Sequence, residues 1–142
     1  MGKIRKDLIR IKLKEIQENL RLVEDNLPET YLCFSGLGLV KDGLYKKTEF
    51  CIENVLDICS ILNSDLGLGI PEDEEDILNK LIEAKILTKE LGAKVKGMKG
   101  FRNFLVHRYG RIDDRKAYSS IKKGLKDFAE FEKEIKTFLR KN

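Results

Sequence analysis

The sequence predicts an all-α fold, an antiparallel bundle of four to five helices. Three observations carry this. Apolar residues recur at spacings of three and four along several long segments, which is the period of a helix with one buried face. Only two prolines interrupt 142 residues. Nowhere does apolar and polar alternation persist with β-branched residues, the pattern of a half-buried strand. The length suits a single domain over residues 1–142 with its own core.

The elements follow in order. Ile9, Leu13, Ile16, Leu20, Val23 and Leu27 form one stripe, so a first helix is expected over about 3–25, stopped by Pro28. Residues 29–43 hold Tyr31, Phe34, Leu37 and Val40 among Gly36, Gly38 and Gly43, and read as a short helix or an ordered loop packed as a lid. A second long helix is expected over about 43–64, with Asp42 as its N-cap. Its stripe is Leu44, Cys51, Val55, Ile58 and Leu62, widened by Phe50, Ile52 and Cys59. PEDEED at 71–76 opens the next helix, to about 86, because carboxylates in a first turn suit the macrodipole. A metal site there is disfavoured, since successive carboxylates on a helix point to different sides. Thr88 caps a helix with the stripe Leu91, Val95, Met98 and Leu105. Asp113 or Asp114 caps the last helix, whose stripe of Tyr118, Ile121, Leu125, Phe128, Ile135 and Leu139 is broken at Glu132.

Several classes of protein are excluded or disfavoured. Cys33, Cys51 and Cys59 are too few for a disulfide scaffold, and two of them fall where small hydrophobes pack. No Cys and His lie at zinc-ligand spacing, and no metal or cofactor is expected. The longest apolar stretch, 31–40, is about half of the ~20 residues a membrane span needs, and a cytoplasmic protein without membrane contact is expected. GLGLVKDG is no dinucleotide fingerprint, and Gly92, Gly97 and Gly100 lack the Lys-Ser/Thr of a phosphate loop.

The net charge of +4 conceals an asymmetry. Residues 1–14 carry six basic and one acidic side chain, residues 15–84 five and sixteen, and residues 85–142 seventeen and seven. On charge alone, pairing of acidic and basic segments within one fold is the favoured reading over nucleic-acid binding.

One constellation stands out, FRNFLVHRYG at 101–110. Arg102 takes a position where the apolar stripe asks for a hydrophobe, so its guanidinium needs partners or an anionic ligand. Glutamate or aspartate of the acidic segment is one such partner. His107 is the only histidine, the one side-chain type here whose unperturbed pKa suits proton transfer near neutrality. Asn103 and His107, four apart, share a helix face, whereas Arg102 and His107 lie about 140° apart around the axis. They converge on one phosphate if the helix distorts, if long side chains reach round, or if a second subunit completes the site.

These residues carry a resemblance. R-N-F-L-V-H-R-Y is similar to the R-polar-x-x-x-H-x-Y motif of HEPN-domain proteins, specifically the HepT-type toxins of prokaryotic toxin–antitoxin pairs, and the helical layout resembles theirs over nearly the whole chain. The resemblance implies a metal-independent endoribonuclease acting as a homodimer across a composite cleft. It implies that Arg102 binds the scissile phosphate, that His107 serves as general base or acid, and that Asn103 orients one of them. It further implies that Tyr109 is AMPylated by an MNT-type nucleotidyltransferase antitoxin, which blocks RNA by charge and bulk. Lys94, Lys96, Lys99, Arg108, Arg111 and Arg115 flank the motif; Lys99, Arg108 and Arg111 are the expected RNA contacts, and the rest read as solvated surface. With the motif inside the basic segment, a basic cleft for RNA is expected, the acidic segment being left to solvent or to a basic partner. Two other readings remain: a non-catalytic module that binds a nucleotidyltransferase, and a plain helical interaction protein. Glu53 and Asp57 are candidate acidic helpers from the second long helix.

Overall fold

The computed structural model describes residues 3–107 and 112–142. Among them are six helices: α1 (Lys6–Asn26), α2 (Tyr31–Ser35), α3 (Leu39–Asp65), α4 (Glu74–Glu83), α5 (Lys89–Val106) and α6 (Asp114–Lys141). Five are the expected ones, and α2 is the short element of the 29–43 region. No described helix is long and apolar enough to cross a membrane.

The long helices run antiparallel in neighbouring pairs. Arg5, at the start of α1, grips Asp65 at the end of α3; Lys12 reaches Asp57, and the Cys51 thiol donates to the carbonyl of Ile16. The α1 stripe is buried at Ile9, Leu13, Ile16 and Val23. On α6 the break at Glu132 is closed by Phe131, one position earlier and fully buried, so the stripe steps from Phe128 through Phe131 to Ile135. Phe50 does not widen the α3 stripe as expected; it lies on the exposed side, while Cys51 and Cys59 are buried and their thiols pushed up to about 12 by burial.

The start of α3 differs from the expectation. Gly38, with φ 58°, makes the left-handed turn into a helix that begins at Leu39, and Asp42 lies in its first turn and not at its cap. Gly43 is carried inside the helix because Leu44 and Tyr45 beside it are buried. Tyr45 joins Phe34 of α2 and Tyr118 of α6 in an aromatic cluster, with Phe34 5.8 Å from the Tyr45 ring and 5.0 Å from Tyr118, and Leu44 packs in the same core. So α2 does close one end of the bundle.

Two cores result. The larger joins α1, α3, α4, α5 and α6, and the smaller gathers Val23, Phe34, Leu44, Tyr45, Leu105, Ala117, Tyr118 and Ile121. Phe101 of α5 packs against both. The larger core holds the first part of α5, and the smaller one grips its end.

Candidate active site

The N-terminal half of α5 is pinned before the motif begins. Thr88 accepts the amide of Leu91 on its hydroxyl, and Glu134 of α6 accepts both the Thr88 amide and its hydroxyl at 3.0 Å. One turn on, Gly92 lets α4 approach closely: a Cβ there would stand 2.4 Å from the Ile82 side chain. Leu91, Val95 and Met98 complete the buried face.

Past Met98 that face changes character. Arg102 continues it with its side chain 12% exposed, and every nitrogen of its guanidinium has a partner. Nε donates to Asn103 Oδ1 at 2.9 Å, one terminal nitrogen donates to Glu53 of α3, and the other to Glu74 of α4 at 2.5 Å. Burial works against the charge, yet hydrogen bonds and attraction from the two carboxylates outweigh it and hold the pKa above its ordinary value. Most of the acidic segment faces solvent as expected, Glu18, Glu24, Asp25, Glu29, Glu72 and Glu75 among it, but part of it turns to cations of this same chain. It supplies Glu53 and Glu74 to Arg102, Asp57 to Lys12 and Asp65 to Arg5.

Asn103 contacts Arg102 through its side-chain oxygen, which accepts from it. It meets His107 through the ordinary helical backbone bond, its carbonyl accepting the His107 amide at 2.9 Å. His107 is the C-cap of α5 and is exposed. The helix stays regular to Val106, so no distortion swings Arg102 toward the imidazole; its guanidinium is drawn instead to α3 and α4.

The flanking cations divide. Lys94 pairs with Glu130 at 2.9 Å and Asp127 at 3.8 Å, Lys96 donates to Asn79, and Arg115 lies 4.1 Å over the Tyr31 ring. Lys99 is half-buried beside the motif. Arg108, Tyr109 and Arg111 lie outside the described residues. Among the described residues no group of three or more His, Cys, Asp or Glu is placed to hold a metal ion. Sequence reasoning named Glu53 only as a helper and read Glu74 only as helix-opening charge. The available signal was the misplaced Arg102, whose demand for anions points to the acidic segment.

An all-helical bundle with arginine, asparagine and histidine along the last turns of one helix has the layout of a HEPN domain. The chain belongs to the HepT-like family, described as Ribonuclease HepT-like, whose model matches residues 16–135. It is 38% identical over 79 residues to "Putative RNase" of Archaeoglobus fulgidus, spanning 56% of this chain and 59% of that relative's length. It is 29% identical over 92 residues to mRNA nuclease HepT of Shewanella oneidensis, covering 65% of this chain and 69% of the relative. In structure it is similar to the tri-AMPylated Shewanella oneidensis HEPN toxin in complex with MNT antitoxin, with TM-score 0.83, 25% identity, and coverage of 92% and 98%. The fold also matches YutE from Bacillus subtilis, a cytosolic protein of unknown function, at TM-score 0.82 and 20% identity over 99% and 94% of the two chains.

Proposed function

We propose that this chain is a toxin-type, metal-independent endoribonuclease, acting as a homodimer of single HEPN-like domains spanning 1–142. Neutral His107 takes the proton of a ribose 2′-hydroxyl as that oxygen attacks the adjacent phosphorus, and an imidazolium returns a proton to the departing 5′-oxygen. Two protomers facing across a two-fold axis supply one imidazole for each task. Arg102 holds the phosphate and stabilises its developing charge, and Asn103 orients one of the two residues, Arg102 being the one its side chain touches. Lys99, Arg108 and Arg111 meet the RNA backbone. A nucleotidyltransferase antitoxin silences the site by AMPylating Tyr109, which adds bulk and negative charge beside the phosphate.

The observation that carries this reading is the partly buried Arg102, bonded to the Asn103 side chain one turn before His107, in a chain of the HepT-like family. The test is cleavage of total RNA by purified protein in EDTA. Wild type is expected to cut, and His107→Ala to lose on the order of 100-fold or more. Undiminished cutting by that variant removes His107 from the reaction. Mass spectrometry after co-expression with a nucleotidyltransferase encoded beside it is expected to show added AMP, lost in Tyr109→Phe.

A second reading has its own support. Arg102 is already neutralised by Glu53 and Glu74, as suits a non-catalytic module whose motif serves only to bind a nucleotidyltransferase. It predicts binding of that partner with no RNA cleavage by any variant.

A further inference from the structure

The proposed reaction asks Arg102 to hold a phosphate, yet its guanidinium already holds two carboxylates. We propose that Glu53 and Glu74 form a clamp in which Glu74 occupies the place of the RNA phosphate while Glu53 fixes the direction of the guanidinium. This rests on the nuclease reading above.

Charge supplies the first argument. One cation between two carboxylates leaves the cluster at net −1, so an approaching phosphodiester is repelled while both remain. A phosphodiester and a carboxylate each carry one negative charge and present two oxygens to the guanidinium fork. Exchange of one for the other keeps the balance that Arg102 has at rest. Simple addition would not.

The mounting of the two carboxylates decides which one leaves. Glu53 stands mid-way along the 27-residue α3, beside Ile52, Asn54 and Val55, all buried, so its backbone has no room to move. Glu74 is the first residue of the ten-residue α4. It follows a connection with Gly67 and Gly69 at φ 64° and 105° and with Ile70 93% exposed. Once released, its carboxylate stays at the N-terminus of α4, whose dipole favours it against the repulsion of Asp73, Glu75 and Asp76, whereas Glu53 in mid-helix has no such dipole. Glu74 is therefore the exchangeable partner, and Glu53 is a positioning residue that keeps Arg102 turned toward α3.

The experiment measures the full chain binding a fluorescent 2′-O-methyl oligoribonucleotide, which cannot be cleaved, by anisotropy at low salt. Glu74→Gln is expected to tighten binding roughly tenfold, the scale of one close charge at a half-exposed site. The gain is expected to vanish when Arg102→Ala is added. Glu74→Ser, which also suits a helix start, is expected to show the same gain. On cleavable RNA, Glu53→Gln is expected to lower kcat more than it changes KM, with part of kcat recovered in Glu53→Asp. No gain in either Glu74 variant overturns the clamp, as does a gain that persists without Arg102. Wild-type cleavage with no such gain leaves the nuclease reading standing alone. The gain without any cleavage keeps the clamp and removes the nuclease. Neither binding nor cleavage overturns both.

Discussion

The two halves of α5 are built on opposite terms. From Thr88 to Met98 the helix is capped, tied to Glu134 and sealed by Leu91, Gly92, Val95 and Met98. From Phe101 to His107 only Leu105 is fully buried, and the rest is half-buried or exposed. The first half is held by packing on every turn, whereas the second adds to the packing of Phe101, Phe104 and Leu105 a set of partly buried polar bonds centred on Arg102 and Asn103. Packing resists change without any ligand, whereas polar bonds can be exchanged for those of a substrate. A helix that begins in the core and ends in a site gains both.

Substitutions in the two halves should therefore report on different quantities. Arg102→Ala is expected to have the largest effect, lowering RNA cleavage by about 100- to 1,000-fold while melting changes little, because Glu53 and Glu74 reach water. Gly92→Ala should do the reverse. The added methyl meets two carbons of Ile82, at 2.4 and 2.7 Å, so its cost lies toward the upper end of about 1–3 kcal/mol and exceeds the roughly 1 kcal/mol that alanine gains over glycine in a helix. Denaturant titration should show the loss, and cleavage per folded molecule should stay near wild type.

Asp114 tests the element that grips the end of α5. Burial raises its pKa, but hydrogen bonds from Lys41 and Tyr45 outweigh this and hold the carboxyl below its usual value of 3.8. A lowered folded-state pKa gives stability that is complete above the unfolded value and is lost as pH falls through the folded one. Asp114→Asn is thus expected to melt lower at pH 7, by about 1–2 kcal/mol, and to narrow the gap from wild type below about pH 4. The smallest effect is expected for Thr88→Ala, about 1 kcal/mol from the lost cap, with cleavage unchanged.

Much of the fold was legible because it follows from period and caps. The α1 stripe, the α5 stripe, Thr88 and Asp113 all fall where the sequence places them. The start of α3 was not legible, since Gly38 and Gly43 are the same residue type in opposite roles. Only the buried contacts of Leu44 and Tyr45 decide that one turns the chain and the other continues the helix. At the site, the anomaly of Arg102 was visible, but its partners were not. Glu53 and Glu74 lie 49 and 28 residues away, on two different helices. Helical period says nothing about which helices meet.

The carbonyls of Pro28 and Glu29 accept from the Tyr118 hydroxyl and the Lys122 ammonium, across 90 and 93 residues of chain. Loops of that length close at an entropic cost that only the finished smaller core repays. During synthesis, a chain still lacking α6 has no Ala117, Tyr118 or Ile121 to set beside Leu105. The end of α5 is thus gripped only once α6 has left the ribosome, so the helix that carries the site is made before the helix that fixes its end.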